Sequence, residues 1–134
     1  MKFLSVVAGI SFFYDLAIGI VMLAATDILA TVFHVALPSP ILFAKLLGIF
    51  LICVGLGYAA PWRDPAAHRL YLWVFGPLLK GAGAIAFVTD YVVNASPASF
   101  LLFAASDGTL ALLTLWGLIR LSPGSSARQA PRRA

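Results

Sequence analysis

The run LYLWVFGPLLKGAGAIAFVTDYVV, residues 70–93, decides the fold because it is long, apolar and nearly free of charge. A helix needs about 20 such residues to cross the hydrocarbon core of a bilayer, at about 1.5 Å of rise per residue. Runs of the same kind occupy residues 3–25, 40–60 and 98–119. The sequence therefore predicts an all-α fold with four transmembrane helices.

The composition of the whole chain excludes a water-soluble globular domain. Of its 134 residues, 62% are hydrophobic and 10% are charged, against about 25% charged residues in an ordinary soluble domain. A domain this small has a large surface for its volume, and nine Lys and Arg with five acidic residues cannot cover it. The lipid bilayer is therefore the predicted partner of most of this surface. The basic residues flank apolar runs instead of forming a stripe among exposed aromatic residues, so we expect no nucleic-acid binding.

The connections between the apolar runs are short and contain turn-forming residues, at residues 38–40, 61–65 and 94–97. Short connections make neighbouring helices antiparallel, so residues 1–121 are predicted to form an up-down four-helix transmembrane bundle. The first connection, residues 26–39, has apolar residues at helical spacing and is predicted to contain a short helix in the membrane interface. The tail, residues 122–134, is rich in Ser, Pro, Gly and Arg and is predicted to be a disordered basic segment near anionic headgroups.

The orientation follows from the basic residues outside the apolar runs. Lys2, Arg63, Arg69 and the arginines from Arg120 onward lie at the termini and in the second connection, and the first and third connections contain no Lys or Arg. Short loops that carry Lys and Arg stay in the cytoplasm, so both termini are predicted to be cytoplasmic in a multi-pass protein of the bacterial inner membrane. A cleaved signal peptide over the first run is the alternative, but the run is too long for a signal core and contains Asp15.

Of the five charged residues within the predicted spans, four form a candidate buried polar site: Asp15, Lys45, Lys80 and Asp107. The fifth, Asp90, lies near the outer end of the third span, where interfacial water reaches it. An ionised group at the bilayer centre costs about 2.5 to 3.5 kcal/mol on insertion scales, so each of the four is a functional hypothesis. Lys80 and Asp107 fall at similar depth on neighbouring antiparallel helices and are the first predicted pair. Asp15 is the next predicted partner of Lys80, whereas Lys45 lies nearer the interface, toward which its side chain can extend.

Two interpretations of these charges remain open at the level of sequence. Ion pairs can simply fix the rotation and register of the helices. Alternatively, the charges line a polar cavity for a headgroup, a quinone or a small anion, or form a proton relay. The spacings C-x-x-C and H-E-x-x-H and a Gly-rich phosphate loop are all absent, so neither a metal site nor an enzyme of a familiar class is predicted.

Small and aromatic residues give further expectations about packing. Glycines on the second and third spans permit close helix contacts in lipid. Pro77 after Gly76 predicts a bend or break in the third span, one turn before Lys80. The aromatic residues around the second connection are typical of an interfacial belt: Tyr58, Trp62, Tyr71 and Trp73.

The middle of the chain contains three short motifs: Gly55-Leu56-Gly57-Tyr58, Asp64-Pro65, and Lys80 with Gly83, Ile85 and Phe87, the pattern G-x-G-Y, D-P and K-x-x-G-x-I-x-F. In these residues the chain resembles a family of small bacterial four-helix integral membrane proteins with no assigned activity. More loosely, the four-span layout is similar to DoxX-like proteins, some of which accompany membrane redox systems and quinones. The resemblance implies a role for Lys80 and makes quinone the one cofactor to consider.

The first functional hypothesis is a non-enzymatic bundle whose buried polar site binds a lipid, a quinone or a partner helix. The second is a small proton-coupled transporter, which would be a homo-oligomer because four short helices enclose little space. A third, the membrane subunit of a quinone-linked oxidoreductase, follows from the DoxX-like resemblance alone.

Overall fold

The computed structural model describes residues 2–121 and is helical over that range, with no β-strand among the described residues. The predicted tail at residues 122–134 lies outside the described residues. The elements in chain order are α1 Lys2–Ala24, α2 Thr26–Phe33, α3 Leu42–Gly57, α4 Ala59–Arg63, α5 Arg69–Trp73, a π-helix Val74–Lys80, α6 Gly81–Asn94, a 3-10 helix Ala98–Phe100 and α7 Leu101–Arg120.

These elements combine into four stretches of helix that are long and apolar enough to cross a membrane: Lys2–Ala24, Leu42–Arg63, Arg69–Asn94 and Ala98–Arg120. Their bounds lie close to those predicted from the apolar runs, because turn residues and charges end the runs and the helices at nearly the same places. Large hydrophobic side chains are exposed along all four stretches, among them Phe13, Phe43, Leu78 and Ile119. Such an exterior fits lipid as its solvent, and the prediction of an all-α fold with four helical stretches long and apolar enough to span a membrane is confirmed.

The most extensive helix contact joins α1 to α3 and includes a pair of glycines. A Cβ atom added at Gly19 would lie 2.7 Å from the carbonyl oxygen of Gly48, and one added at Gly48 would lie 2.9 Å from that of Gly19. Both separations are below normal contact, so only glycine permits this approach. Helices in lipid associate through such close packing, because the hydrophobic effect does not favour helix contacts over lipid contacts there. The other extensive pairing is between α6 and α7.

One end of the bundle, here called the packed end, has a tight core of buried side chains: Leu4, Ala8, Val54, Tyr58, Leu72 and Leu118. Leu4 fills the space left by the absent side chain of Gly117, and the Phe3 ring meets the Trp116 ring edge-on with centroids 4.8 Å apart. The beginning of α1 and the end of α7 are therefore held together at this end.

The opposite end of α1 is followed by α2, and this end of the molecule is here called the α2 end. Ser99 Oγ donates a hydrogen bond of 2.7 Å to the Phe33 carbonyl oxygen, and the Phe33 ring stacks on Phe103 with centroids 4.8 Å apart. These contacts tie the first and third connections together. The short helix predicted within residues 26–39 is confirmed as α2.

Between the two helix pairs the packing is uneven. Helix α3 packs extensively on α1 but has few contacts with α6 or α7. Because α1 also contacts α7, the pairs are joined along one side and separate along the other. The resulting gap lies toward the α2 end and forms the cavity described below.

Candidate ligand-binding site

Lys80 is placed by an irregularity in the third span. Residues Val74–Lys80 form a π-helix that contains Pro77. Proline has no backbone N–H, and a wider turn lets the helix continue without that hydrogen bond. Gly76 lets this turn approach α7, since a Cβ there would lie 2.6 Å from Thr114 Cγ2. The predicted break is therefore a continuous π-turn, and it ends at Lys80.

The Lys80 ammonium lies between two carboxylates. Its Nζ is 2.5 Å from Asp15 Oδ1 and 3.5 Å from Asp107 Oδ1. The exposed fraction of the side chain is 5% for Lys80, 1% for Asp15 and 19% for Asp107. Sequence reasoning ranked Asp107 as the first partner, whereas the structure places Asp15 closer. Position along the chain gave the depth of each charge but not which helix face turns toward Lys80.

Two tyrosine rings complete the surroundings of the ammonium. Lys80 Nζ lies 5.0 Å from the centroid of the Tyr14 ring and 5.9 Å from that of Tyr58, within range of a cation–π attraction. The Tyr14 and Ser106 hydroxyls share a hydrogen bond of 2.7 Å. Sequence reasoning missed Tyr14, although its place beside Asp15 was a signal. It assigned Tyr58 to an interfacial belt, but Tyr58 is fully buried.

Lys45 lies apart from this cluster and departs from the prediction of a buried position. Its side chain is exposed on α3 and forms no ion pair with any described residue. The physical reason is the rotation of α3, because Ala44 and Gly48 are the residues of that turn that face the interior. The charged site therefore consists of Asp15, Lys80 and Asp107.

These three residues form one end of a cavity of about 520 Å³ that continues toward the α2 end. Apart from them its lining is almost entirely apolar and comes from α1, α2, α3, the third span and α7. Gly83 borders it beside Asp107, since a Cβ on Gly83 would meet only Asp107 Oδ2, at 3.9 Å. The missing side chain at Gly83 therefore leaves Asp107 open to the cavity.

Part of the cavity wall is built of phenylalanine rings. Phe103 stacks with Phe33 at 4.8 Å and with Phe87 at 5.6 Å between ring centroids, and Phe100 lies 5.8 Å from Phe87. Phe103 precedes Asp107 by one helical turn on α7, so a ring and a carboxylate share the same face of the helix. The cavity thus combines an aromatic wall with a charged end, here called the floor, formed by Asp15, Lys80 and Asp107.

The charge balance of the floor is uneven. Lys80 is the one basic residue among the described residues that line the cavity, and it faces the carboxylates of Asp15 and Asp107. Asp15 Oδ2 is buried and has no hydrogen-bond partner in the described part of the chain. The site can therefore accept hydrogen bonds or positive charge from a molecule in the cavity. Residues 2–121 contain no group of His, Cys, Asp or Glu arranged to hold a metal ion.

No family model, curated protein or solved structure matches the chain. The resemblance to the small four-helix family, and more loosely to DoxX-like proteins, therefore stays a prediction from the sequence. The features that bear on function are the cavity and its three charged residues.

Proposed function

We propose that this protein is a non-enzymatic integral membrane protein that binds a lipophilic molecule in the cavity between its helix pairs. The observation that carries the proposal is a cavity of about 520 Å³ with apolar walls and an ionic floor. Ligand sites of about 300 to 1,000 Å³, mostly apolar with a few convergent polar groups, are typical of small-molecule binding. The apolar part of the ligand lies along the walls, and its polar end faces Asp107 and Lys80.

The position of the charges supports binding over a purely structural role. An ion pair that only fixed helix register would be enclosed on all sides by packed side chains. Asp15 and Asp107 instead both line the cavity, and the Asp107 side chain is 19% exposed. A lipid or a quinone fits this cavity because each has an apolar body for the walls and a polar end for the charged residues. Quinone enters here as one ligand class among those with an apolar body and a polar end.

Filling the cavity tests the proposal. Gly83→Leu places a side chain in the open space beside Asp107, whereas Ala82→Leu adds the same side chain at an exposed position on the neighbouring face. We expect wild-type protein and Ala82→Leu to carry a co-purified lipid or quinone in native mass spectrometry, and Gly83→Leu to lose it. Equal retention in both variants, with both folded, would contradict the proposal.

We also propose the up-down arrangement with both termini in the cytoplasm of a bacterial inner membrane. The basic residues near the packed end support it, as does the pairing of Phe3 with Trp116 and of Ser99 with Phe33 at opposite ends. In a Cys53→Ser background, Ser39→Cys should react with an impermeant maleimide in intact cells and Ala66→Cys should not. Labelling of both from outside would overturn this topology.

A proton-coupled carrier is the second candidate, and the partial exposure of Asp107 favours it. A carboxylate that meets both a cavity and a buried ammonium can exchange a proton for a bound molecule. In proteoliposomes, Asp107→Asn would abolish substrate-dependent proton flux while the protein stays folded. If the wild-type protein binds its ligand but produces no proton flux, the carrier candidate fails and the binding function stands.

A further inference from the structure

We propose that the cavity selects a lipophilic cation, a molecule with an apolar or aromatic body and an ammonium or phosphonium centre. The proposal rests on the proposed function and names its ligand class. Three independent features of the described residues carry it: the charge balance of the floor, an unpaired buried carboxylate oxygen, and the aromatic wall.

The charge balance disfavours an anionic headgroup. Lys80 is the cavity's basic residue within the described chain, and its ammonium is already held by Asp15 at 2.5 Å. An anion entering the cavity would therefore meet a neutralised base and the second carboxylate, Asp107. Two carboxylates against one ammonium leave a formal charge of minus one when all three are ionised. A single positive charge in the cavity compensates it.

The carboxylates also have capacity left for a cation. Asp15 is almost fully buried and lines the cavity, yet its Oδ2 has no hydrogen-bond partner in residues 2–121. Asp107 meets Lys80 Nζ at 3.5 Å, the long end of the hydrogen-bond range, and is open toward Gly83. Lys80 therefore compensates Asp107 less closely than it compensates Asp15, and a positive charge in the cavity next to Asp107 is stabilised.

The aromatic wall fits the same ligand class. Phe103 lies one turn from Asp107, and Phe87 lies one turn beyond Gly83 on the face of the third span that continues from Lys80. A cation in the cavity lies beside this cluster of rings, and aromatic rings attract cations most strongly where water is excluded. The apolar remainder of the wall accommodates the substituents of the cation. Charge recognition and apolar burial are thus available in one cavity.

The test compares two probes of the same shape and opposite charge. Tetraphenylphosphonium and tetraphenylborate are each titrated by calorimetry into the purified full-length protein in a non-ionic detergent, with protein-free micelles as the blank. We expect saturable binding of tetraphenylphosphonium, at least about tenfold tighter than any binding of tetraphenylborate, a difference of about 1.4 kcal/mol. Asp107→Asn should weaken the phosphonium binding by about tenfold or more, and Asp107→Glu should keep it.

Each outcome decides the proposal. Equal or tighter binding of tetraphenylborate, or phosphonium binding unchanged in a folded Asp107→Asn variant, overturns the cation class. If neither ion binds while Gly83→Leu still displaces a co-purified neutral lipid, the cation class fails and the cavity function stands. The comparison of the two ions uses wild-type protein, so it holds even where a variant does not fold.

Discussion

Asp15 and Asp107 face the same ammonium, but they differ in what else they meet. Asp15 is almost fully buried and its Oδ1 lies 2.5 Å from Lys80 Nζ, so its charge is balanced mainly by Lys80. Asp107 is farther from Lys80 and borders the cavity, so a bound molecule can share its charge. Under the proposed function, Asp15 positions the Lys80 ammonium and Asp107 is the carboxylate that contacts the polar end of the ligand.

The first prediction concerns the lysine at the centre of this arrangement. Lys80→Met leaves two buried carboxylates without their counter-ion and should lower the free energy of unfolding by about 3 to 5 kcal/mol. Adding Asp15→Asn to Lys80→Met should recover most of this loss, because the more deeply buried of the two carboxylates is then neutral as well. Lys45→Met is the matched control, since Lys45 is exposed and outside the cluster. Unfolding by denaturant in detergent, followed by circular dichroism, measures the difference. A Lys80→Met protein as stable as Lys45→Met would contradict the prediction.

The residue types in the spans were enough to select the charged site, but not its geometry. Charges are rare in apolar runs, so Asp15, Lys80 and Asp107 stand out in the sequence, and so does Lys45. Counting along a helix gives the depth of a residue in the membrane but not the direction of its side chain. That direction depends on which face packs, and for α3 the Gly48 face packs on α1, which turns Lys45 outward. Tyr14 was missed although it adjoins Asp15 in the sequence, and Tyr58 was assigned to an interfacial belt because aromatic residues are common at the ends of membrane spans.

At the scale of elements, two local devices position the site. The π-turn at Val74–Lys80 lets the third span continue past Pro77, and the turn ends at Lys80. The Gly19–Gly48 contact draws α3 onto α1 and away from α6. The first device places the ammonium, and the second opens the cavity beside it. Proline in the sequence indicated an irregularity at the right place, but the choice between a kink and a π-turn depends on the neighbouring helix.

The second prediction compares a glycine at a close helix contact, Gly48, with a glycine that has space around it, Gly81. Alanine is favoured over glycine in a helix by about 1 kcal/mol, so a glycine with space around it should tolerate the change. A Cβ at Gly81 meets only Ala111 Cβ at 3.8 Å, and Gly81→Ala should leave stability unchanged or raise it. Gly48→Ala places its Cβ 2.9 Å from a backbone oxygen of α1, which cannot move aside without separating the helices. We therefore expect a lower thermal unfolding temperature for Gly48→Ala only. The opposite order would show that this contact does not hold the pair together.

At the scale of the whole molecule, the two ends of the bundle have opposite packing. The packed end is filled by side chains from α1, α3, α5 and α7, and the α2 end encloses the cavity. The sequence predicted four long apolar helical stretches with bounds close to those of the structure, since the bounds depend on apolar length and turn residues. It did not predict the cavity, because apolar length and turn residues do not indicate how tightly neighbouring helices pack.

The third prediction follows from this asymmetry. Leu118 lies in the packed end and is almost fully buried, so Leu118→Ala leaves an empty space among side chains that cannot collapse onto it. The loss of packing contacts should lower the free energy of unfolding by about 2 kcal/mol or more. Leu51→Ala is the matched change at the cavity, where the side chain already borders open space and has fewer contacts to lose. It should cost less than half as much in ligand-free protein. Measured in the presence of saturating ligand, the Leu51→Ala cost should rise, because the ligand supplies the contacts that Leu51 lacks in the empty cavity. A Leu51→Ala cost equal to that of Leu118→Ala without ligand would mean that the two ends are packed alike.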